Sequence, residues 1–233
     1  MEVLYEDNHV IVVNKAVGEI VQGDKSGDKP LSKIVADYLK KTYNKPGAAY
    51  VGVPHRLDRP TSGIVVFAKT SKALGRLNEM FRQGDVSKTY WAIVGNRPPQ
   101  DEGELTHWLV RNERQNKSYA YDQPKPGAKK AVLHYRVLVS MDYYHLVEVE
   151  LKTGRHHQIR CQLAKIGCPI KGDLKYGAPR SNPDGSICLH ARHVFFIHPV
   201  SHFRIHVTAP VPPTALWRAA EAAEGDLSNG WDE

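Results

Sequence analysis

The chain has 233 residues, of which 41% are hydrophobic and 24% charged, the balance of a globular protein large enough to bury a core without staples. That balance excludes intrinsic disorder, a collagen-like fibre and a disulfide scaffold, and no apolar run approaches the roughly 18 residues that span a membrane. The net charge is +7, and because the last five acids (Glu221, Glu224, Asp226, Asp232 and Glu233) follow the last base, Arg218, residues 1–218 carry +12, a surplus that favours a polyanionic partner such as nucleic acid.

Val10 to Val13 is a short β-branched run and reads as a strand. Leu31, Ile34, Val35, Tyr38 and Leu39 repeat at helical spacing and predict a helix over about 31–43. Ile64 to Ala68 reads as a strand. Ser71 is the expected N-cap of the next helix, whose apolar face is Leu74, Leu77 and Phe81 and which Gly84 ends. Val86 to Val94 reads as a strand with Lys88, Tyr90 and Ala92 on one face. Further strands are expected near 104–110, 131–139 and 144–152, then a helix over 156–165 that ends at Gly167. Two more strands are expected near 192–197 and 203–208. Pro210, Pro212 and Pro213 precede a short helix, and residues 219–233 read as an acidic, frayed tail.

Strands outnumber helices, and many are neighbours across short turns. The expected fold is α+β, built on a mostly antiparallel sheet flanked by helices, as a single domain over residues 1–218. The stretch 123–130, rich in Pro, Gly and Lys, is a loop.

The N-terminus lacks the basic start and apolar stretch of a secretory signal. Cys161, Cys168 and Cys188 are odd in number and contain no CxxC, which suits a reducing compartment. A cytoplasmic protein is expected.

The densest cluster of chemistry is His55-Arg56-Leu57-Asp58-Arg59-Pro60-Thr61-Ser62-Gly63. One carboxylate stands between two arginines, and Pro and Gly then force a turn into a strand. Such a loop at the mouth of a sheet is where reactive groups tend to sit. Cations beside Asp58 favour its ionised form, which a nucleophile needs. The competing reading is a loop salt bridge of small worth.

A second cluster is Thr153-Gly154-Arg155-His156-His157-Gln158-Ile159-Arg160. A glycine ends a strand and a helix begins behind it, offering backbone N–H groups and cations to a phosphate. The alternative is a basic helix facing water. On the strand 86–94, Tyr90 shares a face with Lys88, and an aromatic beside a cation can stack a base and hold its phosphate; a strand tyrosine is otherwise a core residue. His157 and Cys161 are four apart and His190 and His193 three apart, but neither pair belongs to a strong metal template, so no metal is expected. No GxxxxGK[ST] or GxGxxG fingerprint supports a nucleotide cofactor.

Residues His55 to Gly63 followed by Ile64-Val65-Val66-Phe67-Ala68-Lys69-Thr70 resemble the catalytic motif of the RluA-type pseudouridine synthases. Lys88 to Gly95 resembles their tyrosine motif, and Thr153 to Arg160 their arginine motif. Gly172-Asp173, Tyr176-Gly177, Leu189-His190-Ala191 and His198-Pro199 follow in the family's order, so the resemblance spans about residues 3–210.

The resemblance implies the following. Asp58 is the catalytic aspartate. Tyr90 stacks on the target base and helps remove the C5 proton. Arg160 pairs with Asp58 and holds it ionised. Leu189 packs beneath the uracil, and Arg56 takes the place of the flipped nucleotide. Beside what the resemblance implies, Arg59, Lys88, Arg155 and His157 are expected from their own places in these clusters to meet RNA. The fold is one catalytic domain on an extended, bent mixed sheet crossed by a basic RNA cleft, standing alone without the S4 RNA-binding domain of many relatives, and expected to be a monomer. The reaction is an isomerisation, so it needs no cofactor. Ribosomal RNA, from the large subunit, is the expected substrate, with transfer RNA as the alternative. The rival readings are a non-catalytic RNA-binding protein that retains the fold, and a hydrolase of another N-glycoside. Ala16 and Gln162 depart from the residues that relatives often carry at those places.

Overall fold

The computed structural model describes residues 1–229, with side chains through Gly225. The described residues form ten strands and four α-helices, an α+β architecture as expected. The chain divides into two compact units. The first comprises Met1–Lys88 and Ala191–Pro210, the second Thr89–His190 and Val211–Glu233. Two of the crossings between units fall inside the strands Ser87–Val94 and Leu189–Ile197, and the third, Pro210 to Val211, falls in the irregular stretch before the last helix.

In the first unit, β1 (Glu2–Glu6) pairs with β2 (Val10–Lys15), and β2 with β3 (Ser62–Ala68), both antiparallel. β9 (Leu189–Ile197) lies next in order, and β10 (Arg204–Thr208) pairs antiparallel with it. Val10 to Val13 and all of β3 are buried, as continuous apolar runs covered on both faces should be. Two helices flank these strands.

Helix α1 (Leu31–Thr42) buries Leu31, Val35 and Leu39, one stripe at i, i+4, i+8. Its first N–H groups find partners outside the helix, Leu31 on the Ile20 carbonyl and Ser32 on that of Val21, so Pro30 can stand at the start without a capping side chain. Helix α2 (Ser71–Gln83) is capped one residue earlier than expected. Thr70 is extended, and its side chain accepts from the Ala73 N–H, whereas Ser71 already has helical geometry. Gly84 ends the helix in the left-handed region at φ 87°, where glycine costs least.

The second unit orders its strands β4-β8-β7-β5-β6. These are β4 (Ser87–Val94), β8 (His145–Leu151), β7 (Lys129–Ser140), β5 (Glu102–Asn112) and β6 (Lys117–Tyr121), paired antiparallel throughout. The sequence reading missed β1 and β6. Both are five residues long and carry polar or charged residues among their apolar ones, so periodicity is weak.

Helix α3 (Gln158–Lys165) begins two residues later than expected, because His157 is left-handed at φ 52°. Helix α4 (Ala215–Asn229) corrects the expected tail: residues 219–229 are helical, and Trp217 and Ala220 are buried. Four alanines, at 219, 220, 222 and 223, carry the helix, and one glycine at 225 costs too little to stop it. Residues 230–233 of that tail lie outside the described residues. No helix among the described residues is long and apolar enough to cross a membrane.

Candidate active site

Asp58 is half-buried on a turn closed by the Thr61 N–H donating to its own carbonyl at 3.0 Å. The turn is held from beneath by Lys15, the last residue of β2, whose exposure is 1%. The Lys15 ammonium donates to the carbonyls of Thr61 at 2.6 Å, Arg59 at 3.2 Å and Ala16 at 2.9 Å. Its three donors therefore have three acceptors. Burial pushes its pKa down to about 8, while the Glu19 and Asp58 carboxylates pull the other way. The Gly18 N–H also donates to the Arg59 carbonyl. The backbone around Asp58 is thus fixed by hydrogen bonds from a separate segment, the condition for a precisely held reactive group.

After the turn, Gly63 sits at φ 110°, and a Cβ there would lie 2.3 Å from the Ala191 carbonyl oxygen. Only glycine allows β3 to start this close to β9.

The flanking residues divide. Arg59 faces away from the turn onto an acidic loop, with Asp28 at 2.7 Å, Asp24 at 3.6 Å and Ser26 as further acceptor. Arg56 is exposed. His55 is structural: its Nε2 accepts from the Val66 N–H, and its ring stacks on Phe81 at 4.6 Å. Desolvation, helped by Lys88, pushes its pKa down to about 3, so it is neutral. Lys88 lies over the other part of this stack, 5.3 Å from the Phe81 ring centre, and burial lowers its pKa.

In the second unit, Tyr90 pairs across β4 and β8 with Val149 and is 7% exposed. The face it shares with Ala92 is therefore buried rather than open, a correction to the sequence reading. Arg160 is buried as well. Its Nε and one terminal nitrogen donate to the two oxygens of Asp173 at 2.7 and 2.9 Å, a bidentate pair. Its guanidinium carbon lies 5.1 Å from the Tyr176 ring centre. Asp173 takes two of the five guanidinium donors and fixes the plane in which the others point.

His157, expected to meet RNA, is buried instead. Its Nδ1 lies 2.9 Å from the Tyr176 hydroxyl, which accepts from the Ser118 N–H. Desolvation, then the charges of Arg160, His156, Lys175 and Arg111, push its pKa down to about 2. The loop before α3 spends its backbone internally: the Arg155 N–H goes to Gln158 Oε1, and the Gln158 N–H to the Arg155 carbonyl. Arg155 keeps an exposed side chain whose Nε donates to the Lys130 carbonyl. Leu189, at the start of β9, is buried.

Sequence reasoning missed two positioning roles. Lys15 gave a signal, a lone cation closing an apolar strand. Asp173 gave none beyond its motif, since nothing local couples it to an arginine thirteen residues away. Cys161, Cys168 and Cys188 are buried free thiols, and burial pushes that of Cys161 up to about 11.

A family model described as RNA pseudouridylate synthase matches residues 9–165. An uncharacterized RNA pseudouridine synthase of Bacillus subtilis is 35% identical over 213 residues, covering 91% of this chain and 73% of the relative. A ribosomal large subunit pseudouridine synthase D of Zymomonas mobilis is 31% identical over 222 residues, covering 91% and 69%. An uncharacterized RNA pseudouridine synthase of Synechocystis is 32% identical over 216 residues, covering 91% of this chain and 66% of the relative. The chain thus spans about two thirds of the length of these relatives. Among solved structures, human RNA Pseudouridylate Synthase Domain Containing 4 matches with a TM-score of 0.78 at 24% identity, over 96% of this chain and 93% of that one; this likeness speaks to the fold.

Proposed function

The chain belongs to the RNA pseudouridylate synthase family, and we propose that it isomerises uridine to pseudouridine in RNA with Asp58 as the essential carboxylate. The observation that carries this reading is the Asp58 turn, a half-buried carboxylate on a backbone that a buried lysine clamps through two carbonyls, those of Arg59 and Thr61. The N1–C1′ bond breaks, the uracil turns, and C5 joins C1′; the C5 proton leaves to water and N1 gains one. Substrate and product are isomers, so nothing is consumed and no cofactor is needed.

An ionised Asp58 is suited to attack the sugar or the uracil ring. Ordinary glycosidases need a second carboxylic acid to protonate a poor leaving group; uracil leaves more readily than a sugar alkoxide, so one carboxylate suffices. Tyr90 is proposed as the phenol that meets the base and helps take its C5 proton, and Arg160, oriented by Asp173, as a fixed positive charge for the reaction. Leu189 is proposed as an apolar floor for the uracil. Arg56 and Arg155, both with exposed side chains, are proposed to hold RNA phosphate. A paired uridine must leave its stack at a cost of a few kcal/mol, and cationic contacts to flanking phosphates offset that cost.

Ribosomal RNA of the large subunit is the proposed substrate, supported by the name of the Zymomonas relative, a ribosomal large subunit pseudouridine synthase D. The protein is proposed to act as a monomer in the cytoplasm, where its buried free thiols stay reduced.

The test is to treat ribosomal RNA with the protein, digest it to nucleosides and separate the products. Pseudouridine is expected, with no free uracil. Free uracil would make the protein a hydrolase. Unchanged uridine in ribosomal RNA with pseudouridine in transfer RNA would overturn the substrate and keep the chemistry.

A further inference from the structure

The ribbon formed by β9 and β10 carries an outward face with its own chemistry. Its register pairs His193 with Thr208, Phe195 with His206, and Ile197 with Arg204. Partners directly across an antiparallel pair share a face. The alternate rungs, Val194 with Val207 and Phe196 with Ile205, are buried, so the first three rungs look outward. Phe195 and Ile197 each keep 39% of their surface exposed, and Arg204, His206 and Thr208 are exposed. The His193 and His206 rings lie 5.7 Å apart, and His193 is oriented by a 2.8 Å contact from Nδ1 to Thr208 Oγ1. Three flat rings thus share one face with a guanidinium at its end. Phe203, just before β10, is 73% exposed at that same end.

The charge of this segment is one-sided. Residues 191–210 contain Arg192, Arg204 and four histidines, and no aspartate or glutamate. The carboxylate that reaches its turn, Asp7, is already engaged by His198 Nε2 at 2.8 Å, the Tyr5 hydroxyl, and the N–H groups of His9 and Val10. Scattered exposed apolar residues are ordinary. Rings in a row beside a cation, on a stretch without acids, are the arrangement that stacks unpaired bases and holds their phosphates. A protein partner would want a broader apolar patch. Position agrees with this. β9 passes Gly63, five residues after Asp58, at Ala191, and at about 3.3 Å per residue Phe195 lies about 13 Å further along the strand.

We propose that the outer face of the β9–β10 ribbon is a second RNA-binding surface, where unpaired nucleotides near the target uridine stack on Phe195, His193 and His206 and a phosphate is held by Arg204. This rests on the reading of the protein as an RNA-modifying enzyme and adds where single-stranded RNA is gripped outside the reacting turn.

The test uses the full chain and two fluorescent probes, a short oligouridine and a blunt RNA duplex. Phe195→Ala is expected to weaken oligouridine binding about tenfold, and Phe195→Trp, which restores a ring, to bind as the parent does. Arg204→Ala should weaken binding and flatten its salt dependence. Tyr143→Ala, which removes an aromatic 81% exposed on another surface, should bind normally. Undiminished oligouridine binding by Phe195→Ala overturns the proposal. So does an equal loss for duplex and single strand, or a dimer in sedimentation that Phe195→Ala abolishes, since the face would then serve a second copy. Pseudouridine formation by the parent chain reports separately on the enzyme reading. If it forms while Phe195→Ala binds normally, the ribbon proposal falls alone. If it never forms while Phe195→Ala loses oligouridine, the ribbon stands and the enzyme reading falls.

Discussion

The Lys15 ammonium donates to the Thr61 carbonyl at 2.6 Å from a position with 1% exposure. A charge so deeply buried is costly unless its hydrogen bonds are complete, and here all three donors reach carbonyls, two of them, Arg59 and Thr61, in the Asp58 turn and the third the neighbouring Ala16. Lys15 is therefore a positioning residue. Lys15→Met keeps length and apolar bulk but leaves these carbonyls without their donor. We expect a loss of about 3 kcal/mol in unfolding free energy, and a fall in turnover at saturating RNA that exceeds any loss of RNA affinity. Denaturant titration and single-turnover kinetics check the two parts.

Gly63 has both a positive φ and no room for a side chain. Gly63→Ala should destabilise the protein by at least about 2 kcal/mol, since left-handed strain and a clash with the Ala191 backbone add. A control, Gly95→Ala, adds a Cβ that meets nothing within 4 Å and should change stability little. Thermal melts of the two variants decide.

The Arg160–Asp173 pair is buried on both sides. Removing one partner strands a charge, so Asp173→Asn should cost about 3–5 kcal/mol. Replacing both residues with apolar ones of similar volume should recover part of that loss, while removing the fixed charge proposed for the reaction. A double-mutant cycle on stability, read beside turnover, separates the structural from the functional share.

His157 gives a pH dependence. Desolvation and then the neighbouring cations hold its folded pKa at about 2, below the ordinary histidine value of about 6.5. Between these values the unfolded chain binds the proton and the folded one does not, so stability rises with pH there. The neutral ring's contribution is complete above about pH 6.5 and is lost as pH falls toward 2, with a slope of at most about 1.4 kcal/mol per pH unit. His157→Asn, which can still hydrogen-bond the Tyr176 hydroxyl, should show a shallower loss of stability on acidification than the parent. Equal slopes from pH 7 to 4 would contradict this.

Much of the molecule was legible in its residues. The strands Val10–Lys15 and Ser62–Ala68 announce themselves as β-branched runs, and α1 and α2 as apolar stripes with a glycine stop at 84. The α+β class followed from their order. The strand 117–121 did not show, because it earns its place by pairing with β5 rather than by its own pattern. The start of α3 was misplaced because His157 is left-handed, with its ring held by Tyr176, a contact distant in sequence. The candidate site was legible as motifs but not as burial. Nothing local shows that Tyr90 and His157 are enclosed, or that Arg59 turns to Asp28. The clamp on Asp58 spans more than forty residues of chain, beyond the reach of any periodicity.

The most direct test follows the C5 hydrogen of uridine. The protein is incubated with large-subunit ribosomal RNA carrying tritium at C5, beside the Asp58→Asn variant. Forming the C5–C1′ bond must release that tritium to water, so we expect release by the parent chain and none above background by Asp58→Asn, with RNA binding retained. Equal release by both proteins would contradict the assignment of Asp58, and release by neither, from ribosomal or transfer RNA, would contradict the proposed activity itself.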